Sequence, residues 1–235
     1  MGLGHSPRIV TDGLVLCLDA TNARSYPGTG TTWTDRVGGN DGTLTNGPTF
    51  SSANGGSIVF DGSNDYVDFG SDCVSSIRGS SYLTMSAWVK KTSSGSDCNL
   101  GAWYFGGTYG FFMQWFSDGN FYAGASNGGN KGNYTSVNWS DNWFNLGFVF
   151  DGTQSTASQK GKLFVNGNLK PQGGTFGGGV SDSIVSTNTA DFYVGALQNY
   201  GSKTNGLISS VNVYNRALTA DEVRQNYEAT KGRYE

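Results

Sequence analysis

The 235 residues include 37 glycines, with 14% aromatic and 14% charged residues, a composition of many turns and rigid anchors that belongs to an all-β chain. A net charge of −3 with scattered Lys and Arg leaves no basic footprint for a phosphate backbone, and no apolar run approaches the roughly 20 residues that cross a bilayer. Nucleic acid and membrane are therefore not expected partners, and one large β-sandwich accommodates the whole length.

Residues 1–12, MGLGHSPRIVTD, read as a polar arm ahead of a body at 13–235. An arm with little apolar surface takes its order from whatever it docks on. Residues 14–18 form a continuous apolar run, as in a strand buried on both faces, with Cys17 as a small core side chain. The stretch 27–47 is turn-rich, anchored by Trp33. From 83 to 90, Leu83, Met85, Ala87 and Val89 alternate with Thr84, Ser86, Trp88 and Lys90, which places the first set on the core face. Phe144, Leu146, Phe148 and Phe150 alternate likewise, Asn166-Gly167 reads as a two-residue hairpin turn, and residues 191–194 supply another strand. At the end, Ile208, Val211 and Val213 mark a strand. It leads into a helix near 220–229 with Thr219 as N-cap, Glu222 closing a capping box and a Leu218/Val223 staple.

The middle is the aromatic part of the chain. Between 103 and 143 Trp, Tyr and Phe recur among Gly, Asn and Ser, some for the core and some bordering loops. Trp103, Tyr109, Trp115, Tyr134 and Trp139 are the candidates for stacking on sugar faces, with Asn and Asp taking the hydroxyls. Two or more of them lying coplanar on one open surface would favour glycan binding; full burial would oppose it. Residues 124–138, with Asn127, Asn130, Asn133 and Asn138, read as a long exposed loop.

Catalytic chemistry is sparsely supplied. The three glutamates, Glu222, Glu228 and Glu235, all lie in the C-terminal helix or tail, which leaves no paired carboxylates for glycoside hydrolysis. The single histidine, His5, sits in the arm, so a Ser-His-Asp, Cys-His or zinc site is not expected. Asp61, Asn64 and Asp65 are a candidate calcium loop, against the reading that Asp-Gly and Asn-Asp simply form a turn. Cys73 and Cys98 lie in loop-like sequence, either as free surface thiols or as one disulfide.

Four ordered motifs carry a family likeness. They are 57–67 (SIVFDGSNDYV), 83–89 (LTMSAWV), 163–167 (LFVNG), and the closing set of Gly206, Ile208, Val211, Val213, Tyr214, Asn215, Arg216, Leu218, Thr219, Asp221, Glu222 and Val223. The chain resembles laminin-G-like, concanavalin A-like lectin/glucanase domains, which implies an antiparallel jelly-roll β-sandwich with one short C-terminal helix. The runs SPRIVTDGLVLCLDA, WTD and DGTLTNGPTF resemble a subgroup found in tailed-bacteriophage virion proteins. That likeness implies a non-enzymatic virion surface protein (capsid decoration, head fibre or tail-associated module), made in the host cytoplasm and attached to other virion proteins through the arm. The absence of a visible signal peptide accords with it. The alternative is a carbohydrate-binding lectin or adhesin of a bacterium, and a homo-oligomer stays open.

Overall fold

The computed structural model describes residues 7–105, 108–129, 131–187, 190–197 and 202–235. The elements in chain order are β1 (Leu14–Asp19), β2 (Thr32–Trp33), β3 (Gly42–Thr45), β4 (Thr49–Ser51), β5 (Ser57–Asp61), β6 (Tyr66–Asp68), β7 (Tyr82–Lys91), β8 (Cys98–Phe105) and β9 (Thr108–Trp115). There follow β10 (Asn120–Ala125), β11 (Gly132–Ser136), β12 (Phe144–Asp151), the one-turn helix α1 (Ala157–Lys160), β13 (Gly161–Val165), β14 (Asn168–Lys170), β15 (Gly174–Phe176), β16 (Phe192–Val194), β17 (Asn205–Tyr214) and the helix α2 (Ala220–Thr230).

Two antiparallel sheets face each other. The eight-stranded sheet runs β14-β13-β12-β7-β17-β5-β4, with β1 paired to the second half of β17; the nine-stranded sheet runs β15-β11-β10-β9-β8-β16-β6-β3-β2. This is the jelly-roll sandwich that the strand patterns imply. Leu83, Met85, Ala87, Val89, Leu146, Phe148 and Phe150 point inward from one sheet, and Phe111, Met113, Trp115, Phe121 and Ala123 from the other, all fully or nearly fully buried in one core. The Asn166-Gly167 turn holds positive φ at both residues, 50° and 70°, as a tight hairpin demands.

The free edge of β1 is closed by a side chain. Asp35 Oδ1 accepts the N–H groups of Cys17 (2.8 Å) and Val37 (3.1 Å), while Oδ2 accepts those of Gly38 (2.8 Å) and Asn40 (3.1 Å). One carboxylate thus satisfies a donor on the β1 edge and three in the connection between β2 and β3, and it fastens that connection to the edge.

Helix α2 begins with the capping box that its sequence specifies: Glu222 N–H donates to Thr219 Oγ1 (3.3 Å) and Thr219 N–H donates to Glu222 Oε2 (2.8 Å). Leu218 and Val223 bury together against Val149, Phe164 and Tyr214, so α2 covers the outer face of the eight-stranded sheet. Arg216 holds Glu222 by two hydrogen bonds, 2.9 and 2.6 Å, and this pairing, opposed by partial burial, brings the Glu222 carboxyl down to about 2.

Three expectations change. Residues 8–12 are not a free arm: Val10 packs beside Tyr214 and Val223, its N–H donates to Asn226 Oδ1 (2.8 Å), its carbonyl accepts from the Tyr214 hydroxyl (3.0 Å), and Gln225 donates to Arg8 O (2.7 Å). Residues 1–6 lie outside the described residues. The segment 124–138 is the β10–β11 hairpin rather than a loop. The segment takes in only the last two residues of β10 and the polar strand β11, GNYTS, so little alternation shows within it, and Asn133 is fully buried, donating to the carbonyls of Ala157 (3.0 Å) and Gly161 (2.8 Å). Asn127 and Asn138 are exposed, and Asn130 is outside the described residues. Finally, Cys73 and Cys98 are neither surface thiols nor a disulfide; both are buried and free, and burial pushes the Cys98 thiol up to about 12.

Candidate functional site

The two outer faces of the sandwich are not alike. On the nine-stranded sheet the residues that alternate away from the core are Tyr66 and Asp68 on β6, Tyr193 on β16, Asn99, Ala102 and Tyr104 on β8, Phe112 and Gln114 on β9, Tyr122 on β10, Tyr134 on β11 and Phe176 on β15. Tyr109 joins them because the pairing of β8 with β9 slips at Gly110, which moves Tyr109 off the inward parity of Phe111 and Met113.

These rings form one file. Tyr104–Tyr109 and Tyr109–Phe112 lie 4.4 Å apart between centroids, Phe112–Phe176 6.0 Å, Phe176–Tyr122 5.8 Å and Tyr122–Tyr134 5.3 Å. Two cross-strand glycines make room for it. A Cβ on Gly124 would come within 2.6 Å of the Phe112 ring, and one on Gly132 within 2.7 Å of Phe176, so both rings rest on bare backbone between strands. Ala102, Tyr109 and Phe112 are buried at the base, with Leu197 packed on them; Tyr104, Tyr122, Tyr134 and Phe176 stay half-buried above.

A polar rim borders the Tyr122–Tyr134 pair. The Tyr122 hydroxyl donates to Asp118 Oδ2 (2.7 Å), and Asn120 donates to the same carboxylate from its N–H (2.8 Å) and its side-chain amide (3.2 Å). Partial burial pulls Asp118 upward, but these hydrogen bonds outweigh it and the carboxyl sits below its ordinary range. Ser136 donates to Asn120 Oδ1 (2.9 Å), extending the rim along the strand ends. Asn99 and Gln114 are bonded to one another (2.7 Å) and covered, because Asn99 Nδ2 also donates to the Ser202 hydroxyl (3.1 Å).

A second group lies on β6 and β16. Tyr66 and Tyr193 meet edge to face at 5.4 Å, and the Tyr193 hydroxyl donates to Asp191 Oδ2 (3.0 Å). Burial raises the Asp68 carboxyl and the neighbouring Asp191 charge adds to the rise; burial together with both carboxylates raises Tyr193.

The sequence-derived candidates divide. Trp103 and Trp115 are wholly buried, Trp103 donating its indole N–H to Ala190 O and Trp115 lying under the Lys91 ammonium at 4.6 Å, so neither offers a face to a ligand. The sandwich interior needs large apolar side chains, and these two fill it. Tyr109 and Tyr134 fall on the outer face, at its buried base and on its surface respectively, so that Tyr134 alone of the five offers a ring on the open part of this face and the expectation of two coplanar candidates is not met. Trp139 is 38% exposed in the connection between β11 and β12, apart from the file. Phe112, Tyr122, Phe176, Tyr104 and Asp118 went unselected; the alternation of Tyr122 with buried Phe121 and Ala123 is the signal that could have found the first ring of the exposed pair.

At the β5–β6 corner, Asp65 Oδ2 accepts the Asp61 N–H (3.0 Å), Asp61 Oδ1 accepts the Ser63 N–H (2.7 Å), and Asn64 O accepts from the Asn46 side chain (2.9 Å). These are turn-forming bonds. Among the described residues no three His, Cys, Asp or Glu side chains gather in a metal-binding arrangement.

Among solved structures, domain 4 of AbnA, a GH43 extracellular arabinanase from Geobacillus stearothermophilus in complex with arabinotriose, superposes with a TM-score of 0.64 at 17% identity, over 91% of this chain and 98% of that one. Trypanosoma rangeli sialidase in complex with sialic acid gives 0.65 at 15% identity over 97% of this chain, which spans only 36% of the sialidase chain. The receptor binding domain of botulinum neurotoxin type G gives 0.62 at 16% identity, over 92% and 51%. At such identities the likeness concerns the fold. A search of curated protein sequences finds no match. A family model matches residues 61–224, from the β5–β6 corner into α2, and the chain belongs to the concanavalin A-like lectin/glucanases superfamily.

Proposed function

We propose that this chain is a carbohydrate-binding domain whose ligand lies on the aromatic file of the nine-stranded sheet. The observation that carries the reading is the half-buried Tyr122–Tyr134 pair beside the Asp118–Asn120–Ser136 rim. Sugar rings present apolar C–H faces and hydroxyl edges, and flat rings held rigid against backbone, next to fixed acceptors and donors, suit both at small entropic cost. The arabinotriose bound to the AbnA domain is that protein's ligand; a shared fold that carries a sugar there supports the reading here.

The reading is of binding without turnover. Glu222 is held by Arg216, Glu228 by Arg224 and Lys231, and Glu235 lies near Lys231, all at the helix on the opposite sheet. A glycan array followed by titration calorimetry tests the function: the wild type should retain a glycan that Tyr122→Ala/Tyr134→Ala does not. Equal binding by the double variant would remove the site from this face.

For the setting, we infer a virion surface protein from the resemblance of the runs 6–20, 33–35 and 41–50. Since residues 8–12 bond to α2, attachment to other virion proteins would run through residues 1–6 or the sandwich surface. Antibody labelling that marks cells and never virions would overturn this.

A further inference from the structure

We propose that Asp118 makes the aromatic face selective against acidic glycans, so that its ligands are uncharged sugar chains. The proposal rests on the carbohydrate-binding reading and adds the chemical class of the ligand.

Charge is distributed unevenly between the sheets. No strand of the nine-stranded sheet contains Lys or Arg, whereas Lys90, Lys91, Lys162 and Lys170 lie in strands of the eight-stranded sheet. Lys91 reaches toward the aromatic end from inside: its ammonium is buried, donates to Phe116 O (2.8 Å) and lies over the Trp115 ring. It anchors the β9–β10 turn from inside, and its charge adds a little to the lowering of the Asp118 carboxyl without offering a donor on the outer face. Of the other nearby cations, Arg78 lies over the buried Trp103 ring and donates to Ser71 O, and Lys203 lines a loop cleft with Asp97 and Ser202. Asp182 is paired with Lys160, and Lys131, at the β10–β11 turn, adds only a minor charge effect on it.

What a ligand on the Tyr122–Tyr134 pair does meet is the Asp118 carboxylate, fixed by Tyr122 and Asn120 and kept ionised by them. Its three donors come from within the same hairpin, which leaves acceptor capacity for sugar hydroxyls. A uronate, sulfate or sialate group placed there faces a like charge, with the Lys91 ammonium buried beneath the sheet and no Lys or Arg in the strands around it, the arrangement by which a site rejects a ligand rather than merely failing to attract it.

The test uses the full chain on an array of neutral glycans and their sialylated, sulfated or uronate-bearing counterparts. Calorimetry then compares the best neutral ligand with its acidic counterpart for the wild type, Asp118→Asn and Tyr122→Ala. The expected result is at least a tenfold preference of the wild type for the neutral partner, narrowed by Asp118→Asn, which keeps a carbonyl acceptor while losing the charge, and narrowed by added salt, which screens the repulsion. Tyr122→Ala should weaken both partners together. Equal affinity of the wild type for both partners, or a preference unchanged by Asp118→Asn and by salt, overturns the proposal while leaving carbohydrate binding standing. Binding of no glycan of either class overturns both.

Discussion

Both sheets contribute to one core and differ in what they do with their other face. The eight-stranded sheet presents Val149, Phe164 and Tyr214 outward and seals them under α2 and residues 8–12, helped by Tyr234 stacked on Trp88 at 4.0 Å. The nine-stranded sheet has no helix over it among the described residues; its outward rings lie on Gly124, Gly132 and each other. Covering a face removes apolar area from water and gives stability. Leaving a face half-covered keeps rigid apolar area available to a ligand.

That contrast can be broken from either side. The largest effect should come from the sealed face: Val223→Asp places an unpaired carboxylate between α2 and the sheet and should cost about 3–5 kcal/mol, read as a drop in the denaturation midpoint. Gly124→Val on the open face should cost about 1–3 kcal/mol and abolish ligand binding, because the new Cβ would lie 2.1 Å from Lys131 O as well as against Phe112. Tyr122→Ala/Tyr134→Ala should reverse the pattern of Val223→Asp. The expected outcome is binding weaker by tenfold or more, about 1.4 kcal/mol, in a protein that still unfolds cooperatively in calorimetry. Thr219→Ala should cost about 1 kcal/mol through the lost cap, and an unchanged midpoint would mean that the helix does not depend on it.

The smallest effect is one of pH. Glu222 titrates near 2 in the folded chain against an ordinary 4.5, so its contribution is complete above about 4.5 and disappears as pH falls toward 2; both partners keep 27% exposure, and water screens the pair. Glu222→Gln should flatten that acid limb and leave stability near neutrality only slightly lower. An acid limb identical in the variant would assign it to other carboxylates.

Much of the architecture is legible along the chain. The period-two pattern at 83–89 and 144–150, the Asn166-Gly167 turn and the Thr219/Glu222 box each depend on neighbours a few residues apart, so local sequence determines them. The family resemblance rests on three of those segments, 83–89, the Asn166-Gly167 turn and the helix start, together with 57–67. The open face depends on distant ones. Tyr109 faces outward only because β8 and β9 slip register at Gly110, and Phe112 meets Phe176 only because Gly124 and Gly132 fall side by side across two intervening strands. Trp103 and Trp115 lie in the same aromatic stretch of the chain as the exposed rings, and burial is what separates them. Residues 8–12 look like a polar arm until Tyr214 and Asn226, more than two hundred positions later, supply their hydrogen bonds. Sequence alone determined the strongly patterned strands, the tight turn and the capped helix, since propensity and patterning act over a few residues; tertiary structure decided the polar hairpin strand β11 and which aromatics face water, since both follow from register and cross-strand partners far apart in the chain.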